Sequence, residues 1–199
     1  DIYSVNVHTG AKRLIGRSYR TAPKWSVNGK WAVMYDPIAQ VWNKFDGATG
    51  KVVNISDAIG YPMFMESYDK PAPAPAYGIA GWTADGNNVF LYDAYDWWKI
   101  DLTGERQPEC LTKGYGRKHG KSIRKMTSNI DKDVFQKDEK VIVSLWDKDT
   151  MDEGVYQLDM KGRLRKLMEG NYVYTIHRFS DNHEYCVWNR QNVSELEYY

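Results

Sequence analysis

Two alternating patterns of hydrophobic and polar positions run along the chain, and both predict β-strands. The first is an aromatic residue, a turn and a buried run, as in Trp25-Ser26-Val27-Asn28-Gly29-Lys30 followed by Trp31-Ala32-Val33-Met34-Tyr35-Asp36. Asn-Gly supplies the positive φ angles that a two-residue hairpin turn needs. The same pattern returns in the segments that begin at Trp82, Phe135 and Phe179.

The second pattern is a strand, a tight turn and another strand. In its first copy, residues 2–12, Tyr3, Val5 and Val7 alternate with polar residues, which is typical of a strand with one buried face. The turns carry Thr-Gly or Lys-Gly, which favour hairpins less strictly than Asn-Gly. Further copies occupy residues 41–51, 97–105 and 155–163, and residues 195–199 resemble the start of a fifth.

The order of the two patterns predicts four-stranded antiparallel units. Successive aromatic anchors of the first pattern are 57, 53 and 44 residues apart, which is typical of propeller blades with loop insertions. A two-sheet sandwich would not give the same order four times. We therefore expect an all-β fold, a partial β-propeller of about four blades, within a single region 1–199. Its expected parts are a half blade at 1–18, blades at about 19–56, 76–112 and 124–168, and a half blade at 172–199.

The phase of the repeat suggests how the propeller is completed. The sequence starts at the third strand of one blade and stops on entering the third strand of another. Three arrangements fit: a closed four-bladed ring, a homodimer that completes an eight-bladed ring, and a fragment of a larger propeller. The third is favoured, because natural chains rarely leave both sheet edges bare. Residues 56–76 are the main irregular segment, and Lys70–Ala76 predicts extended, polyproline-like chain.

Charge and composition exclude several classes of protein. Lys plus Arg is 27 and Asp plus Glu is 26, so nothing suggests a partner that is nucleic acid or a membrane surface. No stretch approaches 18 uninterrupted apolar residues, so no membrane span is expected. Two cysteines, Cys110 and Cys186, exclude a disulfide-dense scaffold. Free, buried thiols are the favoured interpretation, and one disulfide remains possible.

Candidate catalytic and metal-binding residues are few. The chain has no G-x-S-x-G nucleophile elbow, and Ser180 and His183 are interpreted as a solvated turn. His177, His183 and Cys186 could converge on zinc but lack a fourth ligand. We therefore expect no catalytic residue, no metal and no cofactor in this chain, and its substrate-binding residues are not assigned.

Three charged or aromatic segments each have a structural and a functional interpretation. The acidic segment contains Asp147, Asp149, Asp152 and Glu153. It departs from the EF-hand pattern, so an exposed loop is favoured over a calcium site. The basic segment contains Lys113, Arg117, Lys118, His119, Lys121, Arg124 and Lys125. It is interpreted as a connection between blades, with binding of an anionic group as the alternative. The aromatic segment is Asp93–Trp98, which is interpreted as core, with sugar binding as the alternative.

A more specific resemblance lies between Gly81 and Lys118. The strings Gly81-Trp82-Thr83-Ala84-Asp85-Gly86, Leu91-Tyr92-Asp93-Ala94-Tyr95-Asp96, Trp98-Lys99-Ile100-Asp101, Cys110-Leu111-Thr112 and Gly114-Tyr115-Gly116-Arg117-Lys118 resemble the propeller domain of prolyl oligopeptidase-family serine peptidases. The resemblance is in particular to the dipeptidyl-peptidase branch and its Bacteroidetes relatives. Trp25–Trp31 is similar to the W-S-P-D-G-K-W blade signature of that family and of TolB-type propellers.

The resemblance implies that the chain is the non-catalytic part of a periplasmic or secreted serine peptidase. In that family the propeller restricts entry of peptide substrates to an α/β-hydrolase domain, which carries the catalytic residues and is absent from this chain. Dipeptidyl peptidases hold the substrate amino terminus with adjacent glutamates, whereas Glu66 and Glu169 each stand alone here. The alternative is a stand-alone propeller that binds a protein or glycan partner.

Overall fold

The structure is a computed structural model that describes residues 1–17, 21–126, 133–180 and 184–192. Over these ranges the chain forms seventeen β-strands and one four-residue helix, so the predicted all-β class is confirmed. The elements are β1 (Ile2–Val5), β2 (Lys12–Gly16), β3 (Lys24–Trp25), β4 (Trp31–Asp36), β5 (Val41–Asp46), β6 (Val52–Asn54), β7 (Ile79–Thr83), β8 (Asn88–Tyr92), β9 (Trp97–Asp101), β10 (Glu109–Cys110), α1 (Tyr115–Lys118), β11 (Lys121–Lys125), β12 (Val134–Phe135), β13 (Lys140–Asp147), β14 (Glu153–Asp159), β15 (Leu164–Gly170), β16 (Val173–Phe179) and β17 (Cys186–Gln191).

Antiparallel runs of four strands follow one another along the chain. The first is β3-β4-β5-β6, the second contains β7, β8, β9 and β10 in sequence order, and the third is β11-β13-β14-β15. The hairpin β1–β2 precedes them and the hairpin β16–β17 follows. This succession of meanders is that of blades in a partial β-propeller, as predicted.

The third meander begins with a strand that the sequence pattern does not identify. The pattern pairs the Phe135 segment with the strand that starts near Val141, but Phe135 lies in β12, outside this sheet. β11 takes the position, because Lys121–Lys125 pairs in register with Val143–Asp147. Five paired residues give a longer ladder than the two-residue β12 could offer. The possible fifth repeat at 195–199 lies outside the described residues.

The chain divides into two compact units. The first consists of Asp1–Ala94 and Trp98–Glu109, and the second of Tyr95–Trp97 and the described residues from Cys110 onward. No helix in the described ranges has the length and apolar character needed to cross a lipid bilayer.

In the first unit, strand β4 is buried on both faces. Trp31, Val33 and Tyr35 pack in one hydrophobic layer with side chains of β7, β8 and β9. Ala32 and Met34 pack in a second layer with side chains of β1, β2 and β5. Because successive side chains of a strand point to opposite faces, β4 joins three consecutive sheets into one stack.

The second unit has a core within the sheet β11-β13-β14-β15. Its most buried side chains are branched aliphatic residues, each at most 1% exposed. Full burial of such a side chain contributes about 1.5–3 kcal/mol to the free energy of folding. These residues are Ile123, Val143, Leu145, Val155 and Leu158.

The two predicted turns of the first pattern lie against each other in the first unit. Gly29 and Gly86 both have positive φ angles, +69° and +68°. The Asn28 side-chain amide accepts the Lys30 N–H at 3.1 Å and donates to the Asp85 carbonyl at 3.0 Å. One side chain therefore shapes its own turn and ties it to the corresponding turn of the next blade.

The turn at Gly29 gives a direct test of this conformation. Gly29→Ala should lower the free energy of unfolding by about 1 kcal/mol, because an L-residue is strained at that φ angle. Nothing lies within 4 Å of the added methyl group, so the loss would come from backbone strain alone. Urea denaturation measures it.

The matched control is Gly60→Ala. Gly60 also has open space around it and has no left-handed φ angle, so this variant should be as stable as the parent or slightly more so. Equal midpoints for the two variants would contradict the turn assignment.

Candidate functional site

The densest aromatic and acidic segment of the sequence is buried rather than displayed. Asp93 and Asp96 are 0% and 1% exposed, and the Trp97 ring is fully covered. Within the first unit, the Trp98 indole N–H donates to the Asp93 carboxylate at 3.0 Å. Sugar-binding tryptophans present an open ring face, so the segment serves as core, which is the favoured interpretation from the sequence.

In the second unit, Asp96 fixes the segment that joins β10 to β11, residues 111–120, which we call the α1 connection. One carboxylate oxygen accepts the Thr112 hydroxyl at 2.6 Å and the Gly116 N–H at 2.9 Å. The other oxygen accepts the Arg117 N–H at 3.0 Å. A buried carboxylate is stabilised by hydrogen bonds of this kind, so Asp96 positions the short helix α1.

Two further residues make this attachment specific. The Thr112 hydroxyl also accepts the backbone N–H of Trp97 at 3.1 Å. A Cβ atom at Gly116 would lie 2.6 Å from the Tyr95 carbonyl oxygen and 2.7 Å from that of Lys121. Only glycine allows this approach of backbone to backbone, which explains why α1 contains a residue that disfavours helices.

The structure brings only part of the predicted basic cluster together with aromatic rings. The Arg117 guanidinium lies 5.0 Å from the Tyr95 ring centroid, and the Lys148 ammonium lies 4.4 Å from the same centroid. The rings of Tyr115 and His119 are 4.3 Å apart. Lys113, Lys118 and His119 are exposed on the α1 connection. Lys121, Arg124 and Lys125 belong to β11, and the Lys125 ammonium lies 5.6 Å from the Phe135 ring centroid.

Glu169 of β15 is the centre of a second polar group in this unit. Its carboxylate accepts the ammonium groups of Lys121 at 2.6 Å and Lys166 at 3.0 Å, and the Tyr156 hydroxyl at 3.1 Å. The hydrogen bonds to the two lysines lower the pKa of Glu169 to about 2. The hydrogen bond to Glu169 raises the pKa of Lys121. Glu169, which stands alone in the sequence, thus has three partners in the fold.

These shifts determine what the Glu169 group can do chemically. Burial, and next the negative charge of Glu169, raise the pKa of the Tyr156 phenol. At neutral pH Glu169 is therefore ionised, Lys121 is charged and Tyr156 is protonated. None of the three is poised to exchange a proton near neutrality, so this arrangement suits binding or stability better than general acid–base catalysis.

The remaining sequence candidates do not form a catalytic or metal group in the described part of the chain. The Ser180 hydroxyl accepts the Tyr185 N–H at 3.1 Å, while His183 lies outside the described residues. No three His, Cys, Asp or Glu side chains of the described ranges come close enough to hold a metal ion. Cys110 and Cys186 form no disulfide with each other and are half-buried, and burial raises the pKa of the Cys186 thiol.

The acidic segment forms the turn between β13 and β14. The Asp147 carboxylate accepts the N–H groups of Thr150 at 3.2 Å and Asp149 at 2.9 Å. These two backbone hydrogen bonds lower the pKa of Asp147. The carboxylate thereby serves the turn, and the predicted exposed loop is what the structure shows at Asp149.

The first unit also contains an apolar cavity that the sequence analysis does not identify. Its volume is about 310 Å³. Tyr35 and Trp42, directly opposite each other on β4 and β5, form part of its wall with their rings 5.5 Å apart. Tyr68, Pro73 and Pro75 of the irregular segment form another part. The Tyr35 hydroxyl donates to the Ala74 carbonyl at 3.2 Å and holds the proline-rich segment in place.

One residue of the cavity wall has a buried polar atom that is closed to solvent. Trp42 is 6% exposed, and its indole N–H has no hydrogen-bond acceptor among the described residues. Burial, and next the charge of Asp36, raise the pKa of Tyr35 to about 12, so its hydroxyl remains a donor. The proline-rich run between Tyr68 and Tyr77 is the sequence signal that could have indicated an aromatic and proline-lined site.

Comparisons with known proteins find similarity in structure alone. The chain matches no protein-family model and no curated protein. It is similar to TolB from Acinetobacter baumannii, at 15% identity over 96% of this chain and 45% of that one, with a TM-score of 0.47. It is also similar to a protein assigned as TolB from Agrobacterium tumefaciens, at 16% identity over 84% of this chain and 57% of that one, with a TM-score of 0.45. The chain thus spans about half the length of each.

Asp96→Asn tests the attachment of the α1 connection. The amide keeps the shape of the carboxylate but loses its charge and one acceptor, so the free energy of unfolding should fall by about 2 kcal/mol. Hydrogen exchange at the Gly116 and Arg117 amides should accelerate, as measured by NMR. Asp149→Asn, an exposed carboxylate of the same unit, should change stability by less than about 0.5 kcal/mol. Indistinguishable variants would overturn the assigned role of Asp96.

The Glu169 group predicts a defined loss of stability in acid. The pKa of Glu169 is lower in the folded state, at about 2, than its ordinary value of 4.5. Its contribution is therefore complete above pH 4.5 and is lost as the pH falls from 4.5 towards 2. Glu169→Gln should be less stable than the parent at pH 7, and the difference should shrink across that window.

Urea denaturation at several pH values measures this difference. Glu66→Gln, which changes an exposed carboxylate, is the control and should follow the parent at every pH. A Glu169→Gln difference that stays constant from pH 7 to pH 2 would contradict the arrangement.

Proposed function

We propose that this chain is a non-catalytic β-propeller portion of a serine peptidase of the prolyl oligopeptidase family, of the dipeptidyl-peptidase-like, Bacteroidetes type. Its role is to gate the access of peptide substrates to an α/β-hydrolase domain of the same parent protein. The parent is periplasmic or secreted. The chain is a fragment of a larger propeller, and the catalytic serine lies outside it.

The observation that carries this proposal is the structure of the segment on which the resemblance rests. Gly81–Lys118 contains β7 to β10 and α1, a complete run of blade strands with its connection. Within it, Asp96, Thr112 and Gly116 interlock through hydrogen bonds and a close backbone approach. The resembling residues thus include those that fix one loop geometry, which supports a common origin better than the general blade signature does.

The chemistry of the described residues supports a gating rather than a catalytic role. In the second unit, hydrogen bonds from two lysines lower the pKa of Glu169, and burial raises the pKa of Tyr156. Each of these two groups is therefore held in one charge state at neutral pH. The exposed lysines of the α1 connection, Lys113 and Lys118, lie on a segment that Asp96 anchors. Such a segment can contact a neighbouring domain or a substrate without taking part in bond cleavage.

A second candidate function is a stand-alone propeller that binds a protein or glycan partner. Exposed apolar side chains on the two end hairpins favour it. Tyr3 and Val5 of β1 are 52% and 49% exposed, and Val173 and Val187 of β16 and β17 are 60% and 66% exposed. Faces of this kind are typical of surfaces that bind another protein. A homodimer that completes a propeller would cover them.

Labelling with a fluorophosphonate probe tests the proposed function. The native protein that contains this sequence should be labelled on a serine outside these 199 residues, as mapped by peptide mass spectrometry. The isolated chain should not be labelled. Heat-denatured protein is the control for non-specific reaction.

Two outcomes would overturn the proposal. One is saturable labelling of a serine within the chain, such as Ser180. The other is a native protein that carries no reactive serine. With the second outcome, light scattering on the isolated chain would examine the alternative, for which a stable dimer is expected.

A further inference from the structure

The walls of the cavity in the first unit select for an apolar, flat group. Tyr35, Trp42 and Tyr68 provide aromatic surface, and Pro73 and Pro75 provide rigid apolar surface. Ligand pockets in proteins have volumes of about 300–1,000 Å³, and the volume here is about 310 Å³. An engineered cavity of about 150 Å³ accommodates a benzene ring, so this one has room for a ring and a short polar tail.

The one charged group in the lining of the cavity selects for a ligand with negative charge. Lys24 is the one charged residue among the described residues that line it, and none of these is a carboxylate. A ligand that carries a carboxylate would therefore meet a cation and no like charge among these residues.

Access to the cavity is available without unfolding. Thr21 and Ala22, which belong to its lining, are exposed on the surface. Lys24 is exposed as well, so its ammonium group can move towards a ligand at the mouth. The opposite wall is held by the hydrogen bond from Tyr35 to the Ala74 carbonyl.

We infer that this cavity is a binding site for an aromatic ring that carries a carboxylate. The ring packs between the aromatic residues and the prolines, and the carboxylate pairs with Lys24 at the mouth. The same chemistry occurs in small aromatic acids and at the carboxyl terminus of a peptide that ends in an aromatic residue. The site lies in the first unit and is independent of the peptidase proposal.

Titration of the ¹⁵N-labelled full chain with N-acetyl-phenylalanine tests the inference by NMR. The Trp42 indole resonance, assigned by its absence in Trp42→Phe, should shift saturably with a Kd of about 1 mM, as expected for a ligand of this size. Lys24→Ala should weaken binding about fivefold. Lys51→Ala, an exposed lysine of the same unit that does not line the cavity, should bind like the parent. N-acetyl-phenylalanine amide, without the carboxylate, should bind as weakly to the parent as the acid binds to Lys24→Ala.

Comparison of two further probes distinguishes the sources of the ligand. Binding of 3-phenylpropionate but not of a tetrapeptide ending in phenylalanine would indicate a small aromatic acid, and binding of both would indicate a peptide terminus. No saturable shift of the Trp42 resonance with any of these probes would overturn the inference. Equal affinity of the parent and Lys24→Ala would overturn it too, and this comparison remains available if Trp42→Phe fails to fold.

Discussion

The burial of β4 on both faces is the constraint on which the first unit depends. A shift of this strand by one residue would move Trp31, Val33 and Tyr35 into the layer that now holds Ala32 and Met34. The two layers differ so much in side-chain volume that such a shift would leave cavities on one side and clashes on the other. The register of β4 therefore fixes the sheets on either side, and with them the position of the aromatic wall of the cavity.

In the second unit, the α1 connection is held by polar rather than apolar contacts. Asp96 is buried and its carboxyl oxygens accept hydrogen bonds from Thr112, Gly116 and Arg117. Gly116 permits the backbone approach that those bonds require. The α1 connection is short and rich in glycine, so it has little core of its own. Asp96 ties it to the start of β9, and the hydrogen bond from the Gly114 N–H to the Cys110 sulfur is a further attachment.

Much of the fold could be predicted from the sequence, because its determinants are local. Asn-Gly and Asp-Gly mark hairpins whatever lies around them, and the turns at Gly29 and Gly86 have the expected conformation. Long-range pairing could not be predicted in the same way. β11 takes the place of the Phe135 segment in the sheet because it pairs with β13 over more residues. Glu169 of β15 pairs with Lys121, which lies on β11 and is distant in sequence. The cavity arises from three segments that are distant in sequence, so no local pattern indicates it.

A double-mutant cycle across the two layers of the first unit tests the stacked-blade arrangement most directly. Val33 and Leu91 belong to the same layer, whereas Met34 lies in the other. From urea denaturation, we predict a coupling free energy of at least about 0.5 kcal/mol between Val33→Ala and Leu91→Ala. The reason is that the voids left by the two truncated side chains share packing partners. Met34→Ala and Leu91→Ala should be additive. Additive effects in the first pair with coupling in the second would show that β4 faces the other way, and would contradict the stacked-blade arrangement.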